Sequence, residues 1–230
     1  MSSNPEPLMK ILVTDFDGTI TRRDFYQLVL NRVPPGTPDF WGEYLAGRIT
    51  HFEALNAVFG AYTPGETALI ALTHDMEIDP GLHQGVEMLR GAGWSVQVAS
   101  AGCSWYIQRL LREADVAVDV FANPGMMVDG RLLMSLPRDS PFFSPMTGID
   151  KRGIVQNALE TGAVVAFAGD GPPDFEPALL VPENLRFATG FLAGELTRRG
   201  LGFRPFGRWS EVAETLCLAD QSRPVGGDRP

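Results

Sequence analysis

The chain has 230 residues, 44% of them hydrophobic, and its 28 acidic against 19 basic side chains give a formal net charge of −9. That balance argues against nucleic acid and anionic membranes as partners, and an anionic substrate would need positive charge supplied inside its site. The length suits one large domain, or a core domain carrying an insertion.

Cys103 and Cys217 are too few for a disulfide scaffold or a zinc finger, so a reducing cytoplasm is the expected setting. The stretch Met1 to Pro7 has neither the basic region nor the apolar core of a signal peptide, and no run approaches the roughly 18 apolar residues of a membrane span. Residues 1–9 read as a loose tail. Ile11-Leu12-Val13 mark a buried strand over about 10–15. Residues 22–33 place Phe25, Leu28, Val29 and Val33 close to helical spacing, and Pro34-Pro35-Gly36 stops that helix. Further helices are expected at about 38–47, 50–60 and 64–75. The block 22–80 contains no convincing strand and reads as a helical module inserted after the first strand.

After Pro80-Gly81 the pattern changes. A helix over about 81–91 is followed by a strand at Trp94 to Ser100, a helix over about 103–114 and a short strand at Val116 to Phe121. Residues 123–149 are rich in Pro, Gly and Ser. Asp129-Gly130 between apolar pairs suggests a hairpin there, serving either the site or a contact between two copies in a homodimer. Then come a helix from Lys151 to Thr161, strands at Ala163 to Ala168 and Leu185 to Ala188, and helices at about 190–199 and 208–219. The tail 221–230 reads as disordered. The expected fold is α/β: a doubly wound, Rossmann-like parallel sheet built from 1–21 and 81–220, with the helical block 22–80 as a cap.

In such sheets ligands sit beyond the carboxyl ends of the strands. Three chemistry-bearing stretches fall there. The first is Asp15-Phe16-Asp17-Gly18-Thr19, whose carboxylates two residues apart point to the same side of an extended chain. Taken alone, Asp-Gly is also a common turn dipeptide. The second is Ser100-Ala101-Gly102, where a hydroxyl and free N–H groups could hold phosphate oxygens, although a serine N-cap is the simpler reading. The third is Gly169-Asp170-Gly171-Pro172-Pro173-Asp174, a second carboxylate pair. Joined to the first, it makes an oxygen-rich site suited to Mg²⁺. Lys151, one of only two lysines, begins a helix and could stabilise a phosphoryl group in transfer.

These four stretches, in this order, resemble the haloacid dehalogenase-like phosphohydrolase superfamily and span most of the chain. The resemblance implies that Asp15 attacks phosphorus, and that Asp17 protonates the leaving alcohol and then activates water. It implies a Mg²⁺ ion held by Asp15, Asp17 (through its main-chain carbonyl), Asp170 and, directly or from behind, Asp174. Ser100, Ala101 and Lys151 would bind the phosphate, with Thr19 supporting the loop. The helical block resembles the small cap of the family, whose closure excludes water. Gly-Asp-Gly-x-x-Asp with an acidic residue at Asp24 resembles phosphoserine phosphatase. The longer run Asp15 to Thr21 with Asp24, and the stretch Phe187 to Phe206, look like the methionine-salvage group acting on 2-hydroxy-3-keto-5-methylthiopentenyl-1-phosphate. Those relatives often carry cysteines just before the lysine, where this chain has Thr147-Gly-Ile-Asp-Lys151.

Asp24, Arg22 and Arg23 would touch the leaving group. Phe25, Tyr26, Trp41 and Tyr44 either line an apolar pocket or pack the helices, and His51, His74 and His83 lack metal-like spacing, which favours structural or surface roles. Asp17 argues against the dehalogenase branch, and the absence of lysine from 22–80 against the phosphonate-cleaving one. The expected partner is a small phosphate ester. Transfer to an acceptor other than water, and a silent binding protein on this scaffold, are the alternatives.

Overall fold

The computed structural model describes residues 9–221, so the expected tails at 1–9 and 221–230 lie outside the described residues except for Met9 and Gln221. Ile11-Leu12-Val13 form the middle of β1 (Lys10–Thr14), buried throughout. An apolar run without alternation belongs in a central parallel strand covered on both faces. Four helices follow: α1 (Phe25–Leu30), α2 (Phe40–Leu45), α3 (His51–Ala61) and α4 (Glu66–His74). The first is shorter than the periodicity suggests, because Asp24 caps it by accepting from the Tyr26 N–H, which leaves Arg22 and Arg23 in the linker. The third opens on a reciprocal cap, Thr50 with Glu53.

The chain continues through α5 (Leu82–Gly91), β2 (Trp94–Cys103), α6 (Ser104–Glu113) and β3 (Asp119–Asn123). Two hairpins come next, β4 (Gly125–Val128) with β5 (Arg131–Met134), and β6 (Phe143–Ser144) with β7 (Gly148–Ile149). The last part runs α7 (Lys151–Glu160), β8 (Val164–Gly169), α8 (Phe175–Leu179), β9 (Arg186–Ala188), α9 (Gly190–Arg198), β10 (Arg204–Pro205) and α10 (Trp209–Gln221). The second hairpin, α8 and β10 go beyond the sequence expectation. Each is five residues or shorter, too short to display a period. Strand β2 runs three residues past Ser100, and β3 starts at Asp119 rather than Val116.

Six strands make one parallel sheet in the order β10-β9-β8-β1-β2-β3. Helices cover both faces. Leu12 faces a core shared with Leu82, Val86 and Trp209 of α5 and α10, whereas Ile11 and Val13 face one shared with Ile154, Ala178 and Leu192 of α7, α8 and α9. This is a doubly wound α/β sheet.

Helices α1 to α4 sit over the carboxyl end of the sheet. The passages into and out of them run side by side, with Arg22 N–H donating to the Glu77 carbonyl (3.0 Å) and Asp79 N–H to that of Ile20 (3.0 Å). The segment 123–149 braces the block from the other side. Met134 N–H donates to Asn56 Oδ1 (2.8 Å), Gly65 N–H to the Gly130 carbonyl (3.0 Å), and Phe52 N–H to the Met146 carbonyl (2.9 Å). The first hairpin thus packs on α3 and its neighbours.

Candidate active site

The carboxyl ends of β1, β2 and β8 converge because these strands are adjacent in the sheet. Asp15 directly follows β1, and its N–H donates to the Ala168 carbonyl (2.8 Å), which extends the ladder one step and aims the side chain beyond the sheet. Asp170 directly follows β8. Lys151 is the first residue of α7, whose cap Asp150 accepts from the Gly153 N–H. From there its ammonium reaches Asp15 Oδ1 (2.7 Å) and Asp174 Oδ1 (2.6 Å), and all three side chains are buried. The other Asp174 oxygen accepts from the N–H groups of Asp170 (3.1 Å) and Gly171 (2.9 Å), so Asp174 organises the loop as well as the lysine. Carboxylate oxygens from Asp15, Asp170 and Asp174, the first and last buried and Asp170 half-buried, lie within 4.8 Å of one another, an all-oxygen donor set of the kind that holds a hard divalent cation.

Asp17 is turned away from that cluster. Its Oδ1 accepts from Phe25 N–H (3.2 Å), and its Oδ2 from Tyr106 Oη (2.9 Å) and Ser100 Oγ (3.3 Å). Ser100 Oγ in turn accepts from Gly102 N–H (2.9 Å). Thr19 does not line the cavity. Its hydroxyl donates to Asp170 Oδ1 (3.2 Å), which makes it a support for that carboxylate. Gly18 has φ +73°, and a Cβ there would overlap the Asp170 carboxylate, so both conformation and space require glycine.

Burial without full compensation sets the electrostatics. It lifts the Asp15 pKa to about 6, Lys151 pulling against the rise and Asp174 adding to it. It lifts Asp170 to about 9, helped by the negative charges of Asp15 and Asp174. Asp17 is raised well above the usual carboxylate range by burial and then by Asp24 and Asp15. Burial alone would discharge Lys151, but Asp15 and Asp174 more than offset it and hold the ammonium above the ordinary lysine value. The result is a fixed cation between two carboxylates, beside an Asp17 whose affinity for a proton is raised by burial and by the neighbouring Asp24 and Asp15. Such pairs with divergent proton affinities mark acid and base roles.

A cavity of about 300 Å³ lies between this cluster and the helices above, and Asp15, Asp17, Ser100, Ala101, Lys151, Asp170 and Asp174 all line it. Asp24, Tyr26 and Trp41 also line it, whereas Phe25 is fully buried in the core and Tyr44 packs on Trp41. Arg22 and Arg23 are not brought to the cavity. Both are exposed and pair with Glu77 (3.1 and 2.6 Å), so the expected contact with a leaving group is not made by either. Sequence reasoning missed Tyr106 and His51. Tyr106 falls in the first turn of α6 just past Ser100, at a position whose period reads as core. His51, for which the spacing favoured a structural or surface role, is buried and lines the cavity.

No protein-family model matches the chain. A 2-hydroxy-3-keto-5-methylthiopentenyl-1-phosphate phosphatase of Bacillus cereus is 20% identical over 208 residues, 89% of this chain and 94% of that protein. Among solved structures, a HAD-family hydrolase from Salmonella enterica serovar Typhi superposes with a TM-score of 0.64 at 18% identity, over 87% of this chain and 69% of that one. A substrate-bound phosphoserine phosphatase superposes with a TM-score of 0.62 at 15% identity, over 88% and 95%. The chain therefore has the haloacid dehalogenase-like fold and resembles these hydrolases at a distance. Among the described residues no helix is long and apolar enough to cross a membrane.

Proposed function

We propose that the protein is a Mg²⁺-dependent phosphatase that hydrolyses a small phosphate monoester through an aspartyl-phosphate on Asp15. The observation that carries this reading is the buried Lys151 ammonium clamped between Asp15 and Asp174, with Asp17 lining the same cavity and held by Tyr106 and Ser100. The distant likeness to phosphatases supports it. So does the acidic cluster, whose chemistry fits the metal: Asp15 and Asp170 would hold it, Asp17 would contribute through its main-chain carbonyl, and Asp174 would keep the loop and Lys151 in place. Bound there, Mg²⁺ would offset the negative charge of the phosphate and of the carboxylates around it.

The chain's own groups then act in sequence. Lys151 and Ser100 orient the phosphate. The free carboxylate oxygen of Asp15 attacks phosphorus, and the ester P–O bond breaks as Asp17 gives its proton to the departing oxygen. Asp17, now a carboxylate, takes a proton from a water that attacks the acyl-phosphate, releasing phosphate and restoring Asp15. Tyr106 holds Asp17 in position for both transfers. Phosphate release from a panel of small esters is expected to need Mg²⁺ and to stop on adding EDTA. A folded protein that binds Mg²⁺ but releases phosphate from no ester would sink the proposal.

Gly102 offers a separate check. A Cβ there would meet Tyr106 Oη and stand 2.7 Å from Asp17 Oδ2. Gly102→Ala is expected to displace the acid and cut kcat by about 10²-fold, the usual effect of a misplacement near 1 Å. A kcat within twofold of the parent would show that this contact does not position Asp17.

A further inference from the structure

The cavity has two ends of different chemistry. Its floor carries the carboxylates and Lys151, and its roof, formed largely by the helical block, is walled by Trp41, Leu55 and Phe59. Two polar atoms in that roof, Tyr26 Oη and His51 Nδ1, are buried and make no hydrogen bond among the described residues. The residues are only 3% and 8% exposed. A buried polar atom left unpaired costs stability, and native proteins keep few of them. Here both residues line the same cavity and flank one ring: Trp41 stands 5.2 Å from Tyr26 and 5.8 Å from His51, centroid to centroid.

His51 is held in place. It opens α3 behind the Thr50 cap, and Trp41 and Tyr44 meet its ring edge-on. It lines the cavity within electrostatic reach of Lys151 and Asp174 on the floor. Burial, with Lys151 adding and Asp174 opposing, takes its pKa down to about 4, which leaves a neutral imidazole at physiological pH. Lys151 is the only cation among the lining residues, and two carboxylates already engage it, while five aspartates line the same space. A second carboxylate on a ligand would find no counter-charge.

We propose that His51 and Tyr26 are specificity residues that read a neutral oxygen, hydroxyl or carbonyl, on the leaving alcohol, whose carbons rest on the apolar wall, and that esters bearing an extra carboxylate are rejected. This rests on the phosphatase reading for the floor of the cavity. It separates this cavity from one built for an amino-acid phosphate, despite the shared fold.

The test compares hydroxyacetone phosphate with propyl phosphate, which has the same carbon skeleton without the carbonyl, and with phosphoserine. The parent is expected to favour hydroxyacetone phosphate over propyl phosphate by about tenfold in kcat/KM, the scale of one hydrogen bond satisfied in a buried site. Phosphoserine should fall below both. His51→Phe should bring the ratio close to one, and His51→Asn, whose amide can replace Nδ1, should restore most of it. Should Phe at 51 fail to fold, Tyr26→Phe supplies an independent reading. It should lower the same ratio without lowering the thermal midpoint, since it deletes an unpaired hydroxyl. An unchanged ratio in the folded variants, or phosphoserine as the preferred ester, would overturn the inference. Calorimetric binding of the two neutral esters to Asp15→Asn, with and without His51→Phe, separates the two claims. An affinity gap that closes in the double variant upholds the inference even if no ester is hydrolysed, whereas hydrolysis without a gap upholds only the phosphatase.

Discussion

Asp15→Asn is expected to lose phosphate release by about 10⁴-fold or more while the protein stays folded. The activity loss follows from chemistry: a carboxamide does not attack phosphorus and is a weaker ligand for a hard cation. The retention of fold follows from the local balance of charge. Asp15 has a folded-state pKa of about 6 against an ordinary value of 3.8. A carboxyl raised in this way favours the folded state only where it is protonated. That contribution is full below the unfolded value and is lost as pH rises through about 6. At pH 7.5 the ionised side chain is therefore a burden on the metal-free fold. Asparagine removes it, still accepts from Lys151, and turns an N–H₂ toward the neighbourhood of Asp170. The metal-free variant should unfold at or above the parent's midpoint at pH 7.5, with the difference shrinking as pH falls below about 6 and closing only below the unfolded value of 3.8. Scanning calorimetry across that range, beside a phosphate-release assay, checks both parts. A variant that unfolds well below the parent would mean that Asp15 holds the fold together through its ion pair.

Lys151→Met should do the opposite. The thioether fills similar volume, but Asp15 and Asp174 are left buried without their shared cation. Breaking one side of a buried pair typically costs about 3–5 kcal/mol. Asp174 is fully buried and retains two main-chain donors, so the change falls mainly on Asp15, whose remaining recourse is to bind a proton. The loss should therefore be largest at high pH and shrink as pH drops through the range where Asp15 protonates. Activity should fall by about 10²–10³-fold, as for other preorganised electrostatic groups. A thermal midpoint within a degree of the parent at pH 7.5 would contradict the clamp.

Much of the floor of the cavity was legible because its residues follow apolar strands at a spacing that period-two geometry interprets. Asp15 and Asp170 sit one step past β1 and β8, and adjacency in a parallel sheet does the rest. Lys151 drew notice through rarity, as one of two lysines. The roof was only partly legible, for a physical reason. Tyr26 and Trp41 stood as residues that either line a pocket or pack the helices, and both do line the cavity, whereas Tyr106 and His51 gave no such signal; only tertiary placement decides which packed side chain also borders a cavity. Arg22 and Arg23 mark the reverse error. Their place near the hinge of the helical block suggested a contact with the leaving group, but the linker directs both toward Glu77. Strand β10 was missed because two residues, one a proline, carry no pattern.

The bonds from Met134, Gly65 and Phe52 tie the helical block to the segment 123–149 as well as to its own linkers. A roof attached at one hinge must be ordered by each ligand that enters, and part of the binding energy is lost to that ordering. A roof attached on two sides is already near its working position. Ligands then meet a preset shape and lose less affinity to entropy, but exchange with solvent has to strain a doubly anchored body rather than swing a free one. The expected signature is a narrow set of accepted leaving groups, with departure of the product rather than chemistry limiting the turnover of the best of them.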